Sequence, residues 1–166
     1  MIGVQSLSKE YRVRALDDSH VDEILALCRE NELYYQYSGA RISREQIISD
    51  LHIAPPGIPL SRKYYMGFYR EEELLAVMDL IEGYPEDDIA YIGFFMVAAG
   101  IQGQGVGSQI ICEAEEYLKE TGMKAIRLGI DKGNPQSTAF WKKNGFRVIK
   151  EVDRNGHGIL VAEKGI

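Results

Sequence analysis

The sequence has little of what small proteins use as covalent or metallic cross-links. Its 166 residues include two cysteines, Cys28 and Cys112, which lie far apart and form no CxxC pair. A structural zinc site or a disulfide framework needs more cysteines at closer spacing. We therefore expect no metal, and we interpret both cysteines as small apolar residues of buried helix faces.

Positive charge and long apolar runs are also scarce. The 19 basic residues are outnumbered by 25 acidic ones, a net charge of −6, which disfavours nucleic-acid partners and a polybasic membrane surface. No apolar run reaches the roughly 20 residues of a membrane span, and residues 1–16 lack the apolar core of a signal peptide. These absences predict a cytoplasmic protein with neither nucleic-acid nor membrane partners, and they leave a homodimer open.

The length and the hydrophobic periodicity are typical of one α/β domain, over residues 1–166. Helices are predicted from Val21, from the capping Ser43, and at Gly105–Thr121 and Pro135–Asn144. A tyrosine-rich loop is predicted at Tyr34–Ser38. Strands are predicted at Tyr11–Leu16, Tyr64–Tyr69, Leu74–Ile81, Ile89–Val97, Ala125–Ile130, Arg147–Arg154 and His157–Glu163.

Glycine is abundant, with 17 residues, and the segment FFMVAAGIQGQGVGS at 94–108 concentrates it where a buried strand turns into a helix. Gly103, Gly105 and Gly107 leave the first N–H groups of that helix free of side chains, and the helix dipole favours an anion there. A diphosphate ligand fits such a loop. The alternative interpretation is a tight strand-to-helix turn without a ligand.

Two nucleotide-binding motifs also place glycines just before a helix. The absence of Gly-Lys-Ser/Thr excludes the P-loop of nucleotide hydrolases. Gly103-x-Gly105-x-x-Ser108 approximates a Rossmann fingerprint, and Asp131 stands near the position of a ribose-binding acid. However, the chain after Asp131 offers one short helix and a hairpin rather than several βα units. A dinucleotide-dependent oxidoreductase therefore remains only a distant alternative.

Two motifs in order carry a resemblance to the GCN5-related N-acetyltransferase (GNAT) family. Gln102-Gly103-Gln104-Gly105-Val106-Gly107 is similar to the family's Q/R-x-x-G-x-G/A motif, five residues after Val97. The segment 134–146, NPQSTAFWKKNGF, resembles the family's N-x-x-A-x-x-F-Y-x-x-x-G-F segment. The resemblance implies one acetyltransferase domain that transfers an acetyl group from acetyl-CoA directly to a primary amine of a small molecule or peptide.

The same resemblance implies a fold of the α+β kind. We expect a mixed, mostly antiparallel sheet of six or seven strands flanked by about four helices. Its two parallel central strands, Ile89–Val97 and Ala125–Ile130, are expected to splay apart beside a bulge, which opens a slot for the pantetheine arm. The residues implied to bind acetyl-CoA are Phe95, Met96, Val97, Gln102, Gly103, Gln104, Gly105, Val106, Gly107, Ser108, Asn134, Phe140, Trp141 and, at the 3′-phosphate, Lys143 or its neighbour Lys142.

Catalytic roles are less well indicated. The backbone N–H of Val97 is implied to polarise the thioester carbonyl. Trp141 occupies the position where many family members have a tyrosine that protonates the leaving thiolate, and an indole is not a usable acid. The thiolate then leaves unaided, or the protein is a non-catalytic acyl-CoA-binding module.

Candidate bases for the amine lie at strand ends, namely Asp79, Tyr91, Glu82 and Asp88. For the three histidines, His20, His52 and His157, we expect surface roles. The six tyrosines between residues 34 and 69 are either lining residues of an acceptor pocket or ordinary amphipathic positions.

Overall fold

The computed structural model describes residues 1–166 and has one seven-stranded sheet at its centre. The strands are β1 Arg12–Ala15, β2 Lys63–Arg70, β3 Glu73–Glu82, β4 Ile89–Val97, β5 Ala125–Asp131, β6 Arg147–Arg154 and β7 His157–Gly165. The α-helices are α1 Val21–Arg29, α2 Glu32–Ser38, α3 Arg44–His52, α4 Val106–Glu120 and α5 Pro135–Lys143.

The strand order is β1-β2-β3-β4-β5-β7-β6, and β4 with β5 is the one parallel pair. This confirms the mixed, mostly antiparallel sheet. A dinucleotide-binding domain needs several parallel strands joined by crossover helices, so this topology argues against the Rossmann alternative.

The splay between β4 and β5 is also confirmed. The two strands pair only where Ile89–Ile92 lies beside residues 125–128, and both then continue without pairing to each other. On its other edge β4 has a register shift, because Asp79 lies opposite Phe94 while Leu80 lies opposite Ile92. The extra residue is Gly93, which forms a β-bulge at the point where the strands separate.

The tyrosine-rich segment Tyr34–Ser38 was wrongly predicted as a loop, since it belongs to α2, which brings the number of α-helices to five. Tyr34 and Tyr35 pack against a buried cluster beneath α1 and α3, and Gly39 ends the helix in the left-handed conformation with φ 68°. Tertiary packing of this kind outweighs the modest helix propensity of tyrosine.

Two apolar clusters hold the layers together. The larger contains the inward face of α4, with Ile110, Ile111 and Leu118, together with Trp141 and residues of the sheet. The smaller joins α1 and α3 to Tyr65 and Val77 of the sheet. None of the helices is both long and apolar enough to cross a membrane.

Candidate active site

The glycine-rich turn before α4 leaves a row of backbone donors unused. Gly103 and Gly105 have φ of 78° and 84°, and a Cβ at either position would meet nothing within 4 Å. No side chain caps the helix, and none of the six consecutive amide N–H groups from Gly103 to Ser108 donates to a protein acceptor. Such a row at the positive end of a helix dipole is suited to a phosphate or diphosphate.

A buried amide network ties this turn to the end of β4. The Gln102 side chain donates to Asn31 Oδ1 at 2.5 Å and to the carbonyl of Val97 at 2.8 Å. Asn31 also donates to that carbonyl, at 3.3 Å. Gln102 therefore shapes the loop, as the motif implied, whereas the partner Asn31 carries no sequence signal and was missed.

A cavity of about 310 Å³ runs from this turn along β4 to α5. Of the residues implied to bind acetyl-CoA, its wall includes Phe95, Met96, Val97, Gln102, Gly103, Gly105, Gly107, Ser108, Phe140, Trp141 and Lys143. The side chains of Gln104 and Val106 do not line it, and Lys142 does not either. Asn134 is buried and caps α5, accepting from the Ser137 N–H at 3.1 Å. We call this space the cofactor cavity.

The backbone of β4 faces the gap left by the splay. Ala98 N–H donates to the carbonyl of Leu75 on β3 at 2.8 Å. Since the direction of the backbone groups alternates along an antiparallel strand, those of Met96 also face β3, while those of Phe95 and Val97 face the gap. The Val97 carbonyl already accepts from Gln102 and Asn31, so the backbone groups of Phe95 and the N–H of Val97 are the ones available to an extended amide-containing chain.

Aromatic rings form the far wall of the cofactor cavity. The ring centroid of Phe95 lies 6.0 Å from that of Phe140 and 5.9 Å from that of Trp141. Trp141 in turn packs edge-on against Phe146. A Cβ on Gly107 would come within 3.2 Å of the Phe140 ring, so a glycine there lets the helix approach this wall. The wall is apolar and offers no acid.

A second cavity of about 400 Å³, which we call the acceptor cavity, lies beyond the Gly93 bulge. Three carboxylates line it, those of Asp50, Asp79 and Asp131. Its remaining wall includes the aromatic residues Tyr34, Tyr35, Tyr65 and Phe94, the thiol of Cys28, and the basic residues Arg41, Arg154 and His157.

One carboxylate oxygen of Asp79 is paired with a lysine, and the other has no hydrogen-bond partner. Its Oδ2 accepts from the nearly buried Lys63 ammonium at 2.6 Å, and its Oδ1 is buried without any hydrogen-bond partner. Burial raises the pKa of Asp79 above its ordinary value, although the charge of Lys63 opposes the shift. Gly93 makes room for this carboxylate, since a Cβ there would lie 3.0 Å from Oδ2.

The structure adds a histidine that the sequence analysis had assigned to the surface. His157 Nε2 lies 2.8 Å from Asp131 Oδ1, and both side chains line the acceptor cavity. The pairing depends on β7 lying next to β5, which no local pattern reveals. Tyr91 lies outside both cavities and packs edge-on against Tyr84.

Five of the six tyrosines divide according to their contacts. Tyr34, Tyr35 and Tyr65 line the acceptor cavity, whereas the hydroxyls of Tyr64 and Tyr69 donate to Glu82 and Glu23 elsewhere. Tyr34 is the one residue that lines both cavities. Its ring therefore borders both spaces, beside the gap between β4 and β5.

Comparison with known proteins agrees with this geometry. The family model described as Acetyltransferase (GNAT) family matches residues 20–146. Among curated proteins, holothin acyltransferase of Pseudoalteromonas sp. (strain SANK 73390) is 30% identical over 91 residues, which are 55% of this chain. The match spans 28% of that relative's length.

Two solved structures illustrate the likeness of fold. An acetyltransferase from Thermus thermophilus superimposes with a TM-score of 0.77 at 19% identity, over 98% of this chain and 99% of the other. PaiA N-acetyltransferase from Thermoplasma acidophilum, in complex with coenzyme A, gives 0.67 at 18% identity, over 95% and 99%. At such identities the likeness concerns the fold.

Proposed function

The chain belongs to the GNAT acetyltransferase family, and from this membership and its two joined cavities we propose that it transfers an acetyl group from acetyl-CoA directly to a primary amine of a small molecule or peptide. The observation that carries the proposal is the row of six unpaired amides from Gly103 to Ser108. It lies at the mouth of a cavity that reaches the gap between the parallel strands.

The cofactor cavity has groups suited to the pyrophosphate, the pantetheine arm and the 3′-phosphate of acetyl-CoA. The six amides would hold the pyrophosphate, and the gap-facing backbone groups of Phe95 would pair with the pantetheine amides as an added strand would. Lys143 stands at the edge for the 3′-phosphate. Acetyl-CoA, when bound, supplies the thioester carbonyl that an amine attacks. The Val97 N–H would then stabilise the developing oxyanion.

The acceptor cavity supplies a proton acceptor. A primary amine is protonated at neutral pH, because its pKa is near 10, and it must lose that proton before attack. Asp79 borders this cavity, and its raised pKa makes it a better base than an exposed carboxylate. Because its Oδ1 is buried, the amine proton would reach the carboxylate through a water molecule. His157, held by Asp131, is a second group in the same cavity that can take up a proton.

The second candidate is a non-catalytic acyl-CoA-binding module. It is favoured by one observation, namely that Trp141 stands in the cofactor wall where many relatives have an acidic phenol. A thiol with an ordinary pKa near 8.5 leaves without much help, however, so direct transfer needs positioning and deprotonation above all.

Two measurements in sequence test the proposal. Thermal shifts with acetyl-CoA, CoA and NAD should show stabilisation by acetyl-CoA and CoA and none by NAD, and stabilisation by NAD alone contradicts it. A thiol-release assay with polyamines, aminoglycosides, amino acids and peptides should then find an acceptor. Binding of acetyl-CoA with no thiol released by any amine favours the binding module.

A further inference from the structure

We propose that the phenol of Tyr34 is the acid that donates to the departing CoA sulfur, in place of the tyrosine missing at position 141. The inference rests on the proposed acetyl transfer and assigns the proton donor of that reaction to α2 rather than to α5. With Tyr34 as the proton donor, the enzyme can remain active although the indole of Trp141 is not an acid.

Position is the first support. The reacting carbonyl must be reachable by the sulfur from one side and by the amine from the other, so it must sit where the two cavities meet. Tyr34 is the only side chain that lines both of them. Trp141 lines the cofactor cavity alone, and Tyr35 and Tyr65 line the acceptor cavity alone.

The ring of Tyr34 is held in place by its neighbours. It lies edge-on to Tyr35 at 5.0 Å and to Phe94 at 5.8 Å between centroids. Phe94 borders the acceptor cavity, and the next residue, Phe95, borders the cofactor cavity. Successive side chains of a strand point to opposite faces of the sheet, so Phe94 and Phe95 border different cavities, and the Tyr34 ring, which packs on Phe94, lines both of them.

The hydroxyl of Tyr34 is free to act. It makes no hydrogen bond within the protein, and Asp79 Oδ1 is the one fully buried side-chain polar atom without a partner, so the Tyr34 hydroxyl is open to solvent or cavity. By contrast, the Tyr64 and Tyr69 hydroxyls are engaged by carboxylates. A free phenolic O–H at the junction is a donor without a competing acceptor.

The surroundings favour the neutral phenol, which is a hydrogen-bond donor to the sulfur although a weaker acid than a tyrosine in water. Burial raises the pKa of Tyr34, and the nearby Asp131, Cys28 and Asp50 raise it further. The same burial disfavours the CoA thiolate, so a hydrogen bond from the phenol is worth more there than in water.

The step balances as follows. The amine nitrogen forms a bond to the acetyl carbon, the C–S bond breaks, and the sulfur leaves with the electron pair and takes the Tyr34 proton. The nitrogen loses two protons, one before it attacks and one as the amide forms, and both pass through a base or water to solvent. Solvent returns one proton to the Tyr34 oxygen. One acetylated amine, one thiol and one proton result from an ammonium and a thioester.

The test compares Tyr34→Phe with the matched control Tyr35→Phe and with the double variant Tyr34→Phe/Trp141→Tyr. With the best amine of the panel, Tyr34→Phe should lower kcat roughly 100-fold, the low end for a general acid. Tyr35→Phe should lower it far less. The double variant should recover much of the loss, because it restores a phenol at the position implied by the family motif.

A second measurement needs no acceptor. The thiol of bound CoA is titrated by the ultraviolet absorbance of the thiolate, and Tyr34→Phe should raise the pKa of that thiol. The CoA affinity of both proteins is measured below this pKa to show that the cofactor is bound. An unchanged thiol pKa together with an unchanged kcat overturns the proposal. If the wild-type chain binds CoA but acetylates no amine, acetyl transfer itself is rejected, and the titration still decides whether Tyr34 contacts the sulfur.

Discussion

Asp79 combines features that are costly unless they serve a purpose. Its carboxylate is largely buried, one oxygen is paired to Lys63 at 2.6 Å, and the other has no partner. An unpartnered buried acceptor costs about 1–3 kcal/mol, and full pairing within the protein would have avoided that cost. Under the proposed function, this cost is consistent with a role for Asp79 as the group that takes up the amine proton.

Replacing Asp79 by Asn tests its role as the base through the pH profile. A carboxyl with a raised pKa is protonated and unable to accept a proton on the acidic side, so kcat/KM should fall as the pH drops toward its pKa. In Asp79→Asn, kcat/KM should be about 100-fold lower. The fall of kcat/KM on the acidic side of the pH profile, which we call the acidic limb, should be absent.

The companion variant His157→Gln separates the two candidate bases. If Asp79 is the base, His157→Gln keeps the acidic limb. A limb that persists in Asp79→Asn and vanishes in His157→Gln would instead assign deprotonation to the pair of His157 and Asp131. The cofactor affinity of both variants, measured by calorimetry, shows whether the site has stayed intact.

The start of α4 carries the proposed phosphate site. Each end of the helix has a glycine, so a substitution at the far end serves as a matched control for the same substitution at the start. Gly105 precedes the helix with φ 84°, Gly122 follows it with φ 95°, and a Cβ at either would meet no neighbour within 4 Å. Both substitutions to Glu carry the same backbone strain, and only Gly105→Glu places a negative charge beside the unpaired amides.

Gly105→Glu should therefore abolish acetyl-CoA binding, since the new carboxylate occupies and repels the phosphate position. Gly122→Glu should bind acetyl-CoA as the wild type does, with a similar loss of thermal stability. Isothermal calorimetry and melting curves on both variants check this. Equal affinity in the two variants would mean that the loop is merely a tight turn.

The elements also show where sequence patterns suffice. The helix after the glycines follows from its hydrophobic periodicity, and the hairpin of β6 and β7 follows from the turn residues Asn155-Gly156 between them. Neither signal needs knowledge of distant neighbours. Helix α2 cannot be predicted from local signals, because its tyrosines are held by contacts with Phe94 and with the cluster under α1. The same holds for Asn31 and His157, whose partners are distant in sequence.

For the molecule as a whole, the two cavities meet at Tyr34 from different sides of the splayed strands. In the proposed reaction this arrangement would let acetyl-CoA and the amine be bound at the same time. Cys28 is the one cysteine in the acceptor cavity, and burial raises the pKa of its thiol to about 11. A thiol is nucleophilic as the thiolate, so Cys28 is held in its unreactive form.

We therefore expect sequential kinetics without an acetylated enzyme. Initial rates measured over both substrate concentrations should give intersecting double-reciprocal lines, because amine and acetyl-CoA must be bound together. Cys28→Ser should keep the same pattern. Mass spectrometry of the intact protein after incubation with acetyl-CoA alone should find no acetyl adduct. Parallel lines together with an adduct that Cys28→Ser removes would show instead that the acetyl group passes through that thiol.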